Sequence, residues 1–520
     1  MILNLLKKTA RYAVIEIDDG GNFYTKETYA VWVNGEKILT DRCVTVLHGL
    51  KPEIAYEVKV ESGDKNESEI LSFETDYESI TLNVKELGAF GDGIHDDTVF
   101  LQAAVAACPK DGRVLVPEGI YNISNLFLKS GLNLELAKNS VLKCVKDRNL
   151  HPHFPGELQT YDEKEEIVLG TWEGNPRPMF AGIITGMDVR DLNLYGEGTI
   201  DGNASKDDWW KNPKIMNVAY RPRTVFLKGC SNVSMTGLTV VNSPSWTIHP
   251  YECEDISFYG LTIRNPEDSP NTDGIDPESC KNVSICGVHF SLGDDCIAVK
   301  SGKIYLGKKN KRPSENIRIT RCFMENGHGA VTLGSEIAGG VKGLYVSDCF
   351  FRNTDRGLRI KTRRGRGKDS VLDDIVFENI LMEEVKTPFT VNCFYFCDPD
   401  GKTSYVQSRE ALPVDDRTPG IGTLVFKNVK ASGCHVAAMY CDGLPEKKIE
   451  KIELENIRIS FTEGEAINGV PIMSDGVAAC SKKGITIHNV KNLILKNVSV
   501  LNCDGESIDL NGIDNLDSFQ

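Results

Sequence analysis

The sequence lacks several features that would place it in common classes of protein. No apolar run in its 520 residues approaches the roughly eighteen that a membrane-spanning helix needs. Acidic residues outnumber basic ones, 74 to 59, and the formal charge of −15 argues against a general nucleic-acid binder. Apolar residues make up 41% and charged residues 26%, which is the balance of an ordinary globular chain.

Signals for cofactors, metals and secretion are also missing. The glycines of residues 88–93 lack the GxGxxG spacing of a dinucleotide loop, and His151 and His153 have no further ligands at metal spacing. We therefore expect no cofactor and no metal.

The first apolar run is only about five residues, too short for a secretory signal. The 16 cysteines are scattered without a CxxC pair, which is typical of a reducing compartment, so we expect a cytoplasmic protein.

The first 80 residues read as short alternating strands separated by turn sequences such as Asn34-Gly35. Strands are predicted at residues 13–17, 29–33, 56–60 and 70–73. The stretch from Leu47 to Val60 resembles a corner and the following strand of a fibronectin type III sandwich. We predict a small β-sandwich over residues 1–80 that serves as a spacer or accessory module.

From residue 82 onward the chain has a different character and carries an internal repeat. A helical pattern over residues 100–107 comes first, and Asp96, Asp97 and Thr98 are expected to cap it. The string that begins at Cys230 then recurs, and matching positions lie 23 to 34 residues apart. Such periods are too short and too rich in β-formers for helical repeats, so an all-β parallel β-helix is predicted over residues 82–520. The copies begin at Cys230, Cys253, Cys280, Ser314, Val341 and Leu372.

Four polar motifs lie on successive copies of the repeat. Asp294 and His328 both lie twelve residues after their repeat asparagines, at 282 and 316, so they share one position. The alternation of a strand turns Arg359 and Lys361 away from the core. Adjacent coils lie roughly 4.8 Å apart, so these side chains are expected to line one cleft. The motifs are Asn271-Thr272-Asp273-Gly274, Gly293-Asp294-Asp295, Gly327-His328-Gly329 and Arg359-Ile360-Lys361.

Crowded carboxylates indicate acid–base chemistry. Because they repel each other, one aspartate is expected to keep its proton and act as an acid, while a separate carboxylate acts as a base. Asp294 and Asp295 reach one cleft only if the backbone bends, which Gly293 permits. His328 is expected to steady the protonation of the carboxylates. The basic run over residues 361–368 is interpreted as a clamp for an anionic substrate.

These motifs, in this order, resemble those of the polygalacturonases, glycoside hydrolase family 28, over about residues 82–510. The resemblance implies a right-handed parallel β-helix that hydrolyses α-1,4-galacturonosyl bonds with inversion at the anomeric carbon. It implies that Asp294 is the general acid, that Asp273 and Asp295 position and activate the water, and that His328 supports the acid. The substrate-binding residues that it implies are Asn271, Arg359, Lys361 and Tyr395.

The leading sandwich and the long segment 145–180 resemble those of bacterial exo-acting members, in which added loops close one end of the cleft. The resemblance therefore implies release of galacturonic acid from oligogalacturonides. The net charge and the lack of a long apolar run predict that neither nucleic acid nor a membrane is a partner. Three alternatives stay open: a calcium-dependent pectate lyase, a rhamnogalacturonan or xylogalacturonan hydrolase, and a non-catalytic carbohydrate-binding β-helix. No oligomeric state is predicted.

Overall fold

The computed structural model describes residues 1–63, 68–159 and 166–519. Its N-terminal part consists of two antiparallel sheets of three and four strands, and a shared apolar core lies between them. All four predicted strands are present. The first sheet contains Ile2–Lys8, Ala13–Asp18 and Val44–Leu47, and the second contains Tyr24–Val33, Glu36–Arg42, Ala55–Glu61 and Ser68–Glu74.

Local chemistry explains the turns of this sandwich. Asn34 and Gly35 have φ angles of 45° and 92°, as the two-residue turn between antiparallel strands requires. The hydroxyl of Tyr56 accepts a hydrogen bond from the backbone N–H of Lys51 at 2.9 Å, which ties the strand to the preceding corner. The fibronectin type III assignment stays a prediction, as do the boundaries 1–80 and 82–520.

From Thr81 the chain winds into a right-handed parallel β-helix with three parallel sheets. The first sheet contains Thr81–Asn83, Arg113–Val116, Asn133–Leu136, Arg190–Gly196, Ser231–Thr236, Glu254–Tyr259, Lys281–Cys286, Ser314–Thr320, Val341–Ser347, Val371–Glu383, Thr423–Cys434, Ile449–Phe461, Lys483–Leu501 and Ile508–Phe519. The second contains Asp92–Asp96, Gly119–Ile123, Ser140–Cys144, Thr199–Asp201, Thr239–Val241, Thr262–Arg264, His289–Ser291, Phe323–Gly327 and Phe350–Thr354, and continues into Val371–Glu383.

The third sheet is the one that positions the polar motifs. Its strands are Leu126–Phe127, Ile184–Met187, Val225–Lys228, Ile248–Tyr251, Asp295–Val299, Gly329–Leu333, Arg356–Lys361, Thr387–Asn392 and Ala437–Asp442, and it continues into Lys483–Leu501 and Ile508–Phe519. Gly420–Ile421 pairs with Val371–Glu383. Short antiparallel pairs are formed by His153–Phe154, Glu157–Gln159, Glu166–Val168, Thr171–Trp172, Asn175–Pro176 and Met179–Phe180.

Helices are few in the described part of the chain. They are Thr98–Ala107, Ile304–Asn310 and Ser404–Gln407, with 3-10 turns at Arg148–Leu150 and Pro399–Lys402. The predicted capping of the first helix is found at Asp96, whose carboxylate accepts the N–H of Thr98 at 2.8 Å, but it is wrong for Asp97. Asp97 stands at the N-cap, but its carboxylate makes no cap hydrogen bond and instead accepts the N–H groups of Phe90 and Gly91 at 2.6 and 3.0 Å. The residue therefore holds the glycine-rich loop against the start of the helix.

The predicted repeat register is confirmed strand by strand. Neighbouring coils pair so that Asn232, Asp255, Asn282, Asn316 and Gly343 lie in one row. All five have φ between 51° and 73°, the left-handed region that Asn, Asp and Gly tolerate best. Their side chains join the coils, since the Asn316 amide donates to the Asn282 oxygen at 2.7 Å. Each of these positions lies within the first three residues of its strand.

The interior of the β-helix is a single apolar core. Two rows of apolar side chains, which begin at Ile297 and Val299, pair in register with the next two coils and are fully buried. All 16 cysteines lie in the described ranges as free thiols, and thirteen of them are buried. Within residues 1–63, 68–159 and 166–519, no helix is long and apolar enough to cross a membrane.

Candidate active site

The three aspartates meet where strands of the third sheet begin. Ile275 bridges Ile297 on the next coil, and the N–H of Gly274 donates to the carbonyl of Asp295 at 3.0 Å. Asp273 therefore lies directly over Asp295, a register that could not be counted from the sequence because of the preceding insertion. One carboxylate oxygen from each of Asp273, Asp294 and Asp295 lies within 4.8 Å of the other two.

The expected backbone bend is present at residues 293–294, one step before the strand. Gly293 has a different role from the one predicted, because its φ is not in the left-handed region. A Cβ at this position would lie 2.6 Å from the carbonyl oxygen of Ser269. Glycine is needed here because the loop before Asp273 approaches the backbone so closely.

Asp295 is the carboxylate that the site holds ionised. It is 1% exposed, and its two oxygens accept hydrogen bonds from Arg359 at 3.0 Å and Lys361 at 2.8 Å. Burial opposes its charge, but these two cations outweigh burial and hold the pKa of Asp295 far below its ordinary value. Arg359 and Lys361 do project from the core on either side of Ile360, as the alternation predicts, but in this structure they bind a carboxylate of the protein.

Asp273 is the carboxyl of the three-aspartate cluster whose pKa is raised. Burial and the neighbouring charge of Asp294 raise the pKa of Asp273 to about 7, against the opposing attraction of Lys300. The expectation that one of the crowded carboxyls holds its proton above the ordinary pKa of aspartate is thus met at Asp273. The general-acid role of Asp294 that the resemblance implies stays a prediction.

Asp294 and His328 form the exposed edge of the cluster. His328 Nδ1 lies 3.2 Å from Asp294 Oδ1, and the two backbones pair through the predicted shared position. The side chains of His328 and Asp294 are 52% and 21% exposed, so both are accessible to a bound ligand. The hydrogen bond to Asp294 raises the pKa of His328 above its ordinary value, which favours an imidazolium beside the carboxylate.

The two remaining predicted binding residues lie at the margins of this cluster. The Asn271 side-chain oxygen accepts a hydrogen bond from buried Arg221 at 2.8 Å, which fixes its orientation near Asp273. The ring of Tyr395 lies 5.8 Å from the Lys361 ammonium group and is almost entirely buried. Tyr395 therefore contributes mainly packing to the wall of the cleft in this structure.

The interpretation of the whole basic run as a substrate clamp is wrong. Beyond Lys361, each cation of the run is paired with a carboxylate from a later segment, mostly the insertion after Asn392. The pairs are Arg363 with Asp398 and Asp400, Arg364 with Glu446, Arg366 with Asp398, and Lys368 with Asp416. Such charges hold the insertion to the β-helix, and Lys361 and Arg359 alone of the predicted clamp face the aspartates.

The aspartate cluster was also tested as a metal site. Three carboxylates within 4.8 Å are a plausible oxygen donor set for calcium. Both oxygens of Asp295 are already bound to cations, however, and those cations would repel a divalent ion placed beside them. The donor set therefore does not fit calcium, and acid–base chemistry suits the arrangement better.

Several residues near the aspartates were not identified from the sequence. Lys300 lies beneath Asp273, Glu336 lies beside Lys300, and Met473 reaches Arg359 from a late loop. Lys300 had a detectable signal, because it follows Val299 by one position just as Lys361 follows Ile360. Glu336 and Met473 lie outside the strands, in loops that no repeat count places.

Comparison with known proteins agrees with this geometry. The profile described as "Glycosyl hydrolases family 28" matches residues 164–480, which include all four motifs. The chain belongs to this family. It is therefore a glycoside hydrolase, and the predicted fold class and family resemblance are confirmed.

Individual relatives span most of the chain. A "Probable polygalacturonase" from Vitis vinifera is 30% identical over 387 residues, covering 73% of this chain and 74% of its own. An "Endo-polygalacturonase" from Pectobacterium carotovorum subsp. carotovorum is 25% identical over 388 residues, covering 72% and 87%. The family 28 exopolygalacturonase of Yersinia enterocolitica has a similar structure, with a TM-score of 0.71 at 18% identity and coverage of 99% and 98%.

Proposed function

We propose that this family 28 hydrolase is an exo-acting polygalacturonase that removes galacturonic acid from the non-reducing end of oligogalacturonides. The observation that carries the proposal is that the sheet floor around the aspartates is covered on both sides along the helix axis. A cleft of this kind takes a chain end rather than the middle of a polymer. Curated relatives carry both polygalacturonase and endo-polygalacturonase names, so the mode of action is proposed from geometry.

The cover on the side of the earlier coils comes from the segment before residue 180. Trp172 stacks on Tyr220 with ring centroids 4.7 Å apart, and the guanidinium of Arg223 lies between Trp172 and Trp246 at 5.0 and 4.6 Å. Trp246 pairs through its neighbour Thr247 with the coil of Asp273. The aromatic stack therefore covers the coil immediately before the aspartates.

A lateral wall continues from this stack. The N–H of Lys303 donates to the carbonyl of Gly174 at 3.0 Å. Its ammonium group lies 3.3 Å from Asp398 and 4.0 Å from Glu173, so it joins two insertions that are distant in sequence. This wall borders the ends of the strands that carry Lys300 and Lys361.

The cover on the side of the later coils is a loop that we call the strap, residues 470–479. Arg356 donates to the carbonyls of Val470 and Pro471 at one edge of the third sheet. At the other edge the carbonyl of Met473 accepts from Asn392 and Phe396 at 3.0 and 3.3 Å. The strap therefore crosses the full width of the sheet, from Arg356 on the strand of Arg359 and Lys361 to Asn392 on the next coil.

The proposed mechanism assigns a different role to each carboxylate. Asp294, the more exposed of the first two aspartates, gives a proton to the glycosidic oxygen, and Asp273, whose pKa is raised, lies beside it. Ionised Asp295 accepts a proton from the attacking water. Because both of its oxygens are bound to cations, Asp295 is a poor nucleophile, and we therefore propose direct attack by water with inversion. One oxygen from each of Asp273, Asp294 and Asp295 lies within 4.8 Å of the other two, and this spacing is shorter than the roughly 6.5–9.5 Å that usually separates the two carboxyl groups of inverting enzymes.

The experiment that tests these proposals follows trigalacturonate whose reducing end has been converted to the alditol, by NMR. The first products expected are β-galacturonic acid and the alditol of digalacturonate. Early release of the monomeric alditol would contradict attack from the non-reducing end. If galacturonic acid appears first as its α-anomer, inversion is wrong while exo action stands.

We also propose that the protein resides in the cytoplasm. The support is that its sixteen cysteines are free, including the exposed Cys397, since proteins of oxidising compartments commonly pair such thiols. Fractionation of the source cells, with detection by antibody, tests this location. Recovery in the extracellular or periplasmic fraction would contradict it.

A further inference from the structure

A buried lysine lies beneath the aspartate cluster and has no part in the chemistry proposed above. Lys300 is 3% exposed, and its ammonium nitrogen lies 3.6 Å from Asp273 Oδ2, 3.4 Å from Asp276 Oδ1 and 3.2 Å from Glu336 Oε2. The indole ring of Trp246 covers it at 4.3 Å. A fully buried cation surrounded by three carboxyls is costly unless those groups compensate its lost hydration.

The β-helix register explains how Lys300 reaches this position. Glu278 bridges Lys300, and Lys361 follows two coils later in the same outward row. Strand alternation therefore sends both lysines to the cleft side of the sheet. Lys361 reaches Asp295, whereas Lys300, which lies on the coil of Asp295 itself, reaches Asp273. Each of these two aspartates thus has its own lysine from a single row.

We propose that Lys300 is a positioning residue that sets how tightly Asp273 holds its proton beside Asp294, with Glu336 and Asp276 controlling how much of the Lys300 charge acts on Asp273. The proposal rests on the hydrolytic mechanism above. The ammonium group attracts the ionised form of Asp273, whereas burial and Asp294 favour the protonated form. Because Glu336 accepts a hydrogen bond from the same ammonium group, it draws that positive charge away from Asp273.

Other charged and titratable groups surround the Lys300 ammonium group and Asp273 from every side. On the floor of the third sheet these are His249, Asp276, Glu278, Asp295 and Lys361, and Arg221 and Arg223 face it from the preceding coil. Asp294 lies above Asp273, and Lys303 and Arg366 act on Glu336 from the wall. Lys300 is the cation whose attraction most strongly opposes the protonation of Asp273, so its removal is the most direct perturbation.

The test compares pH profiles of kcat/KM on trigalacturonate for the wild type, Lys300→Met and Glu336→Gln. The limb that reports loss of the Asp273 proton is expected to move up by about one pH unit in Lys300→Met, because an attraction that favours ionisation of Asp273 is lost. In Glu336→Gln the same limb is expected to move down, because the Lys300 charge then acts more strongly on Asp273. Lys300→Arg is expected to restore the wild-type limb.

Lys228→Met is the matched control, because Lys228 lies in the same outward row three coils before Lys300, where it pairs with Glu252. The same limb of the pH profile of kcat/KM is expected to lie at the wild-type pH in Lys228→Met. If Lys300→Met fails to fold, the expected shift of the limb to lower pH in Glu336→Gln still tests the proposal. The infrared band of the protonated Asp273 carboxyl is a second measurement. Unmoved limbs in folded, active variants would overturn the proposal. An active Asp294→Asn would instead overturn the underlying mechanism.

Discussion

At the scale of single residues, three identical side chains have different properties because their surroundings differ. Asp295 is buried between two cations, Asp273 is buried beside another carboxyl, and Asp294 lies at the exposed edge with His328. An acid and a base require groups that differ in this way at one pH. The three aspartates are therefore candidates for both roles, although they are one residue type.

Replacing Asp294 tests the acid. Asp294→Asn is expected to lower kcat on trigalacturonate by at least about 100-fold, since a general acid typically contributes that much or more. Binding of trigalacturonate and the melting temperature are expected to change little, because Asp294 is not part of the buried ion pairs. Activity within a few-fold of the wild type would show that the proton comes from another group.

Replacing Lys361 tests the base. Lys361→Met removes one of two cations that keep Asp295 ionised, so the pKa of Asp295 is expected to rise. A base has to be ionised, and the acidic limb of kcat/KM is therefore expected to move to higher pH, with activity lost earlier as the pH falls. Lys361→Arg keeps the charge and serves as the control. A limb at the same pH in both variants would rule out Asp295 as the base.

Part of this site could be predicted from the sequence, and the reasons are physical. Period-two alternation and the repeat spacing place Asp294 with His328 and turn Arg359 and Lys361 outward, because both rules are local. The partners of Arg363 and Arg364, at positions 398, 400 and 446, lie on later segments whose paths no repeat specifies. The basic run was misinterpreted for that reason.

At the scale of structural elements, the strap is the feature that most directly limits the cleft. Gly469 and Cys480 exchange backbone hydrogen bonds of 3.0 and 2.9 Å at its base, so residues 470–479 form a closed loop. Arg409 also anchors the strap through Ser474 at 2.5 Å. Its position across the sheet therefore depends on contacts with two other segments rather than on the β-helix alone.

Replacing residues 470–479 with Gly-Gly tests the role of the strap. The bonded pair at its base allows a two-residue connection, so the fold is expected to survive. Opening the cleft is expected to add oligomers to the products from polygalacturonate, which chromatography detects. A Met473→Leu variant keeps the strap and is the control. Monomer as the sole product after the replacement would show that the strap does not restrict the mode of action.

At the scale of the whole molecule, the N-terminal sandwich and the β-helix pack through a row of glycines. Gly237, Gly260 and Gly287 occupy one repeat position with φ of 76°, 57° and 68°. A Cβ at Gly260 or Gly287 would lie 2.8 or 2.5 Å from Val46 or Val44 of the sandwich. The repeat glycine thus serves both a left-handed turn and close approach of the two parts.

The net charge of the chain differs in sign from that of the cations that gather at the cleft. The chain carries a charge of −15, yet buried cations gather at the cleft, among them Arg221, Lys300, Arg359 and Lys361. Each of these side chains has a polar or carboxylate partner in the protein. A substrate carboxylate would therefore share Arg359 and Lys361 with Asp295, which joins binding of the polyuronate to the state of the base.

The covered cleft is expected to admit only the end of a chain. A time course of the products formed from polygalacturonate tests this expectation. Galacturonic acid is expected to be the sole product from the first minutes, with solution viscosity falling slowly relative to the number of bonds cleaved. A mixture of oligomers before monomer, with a rapid loss of viscosity, would contradict exo action.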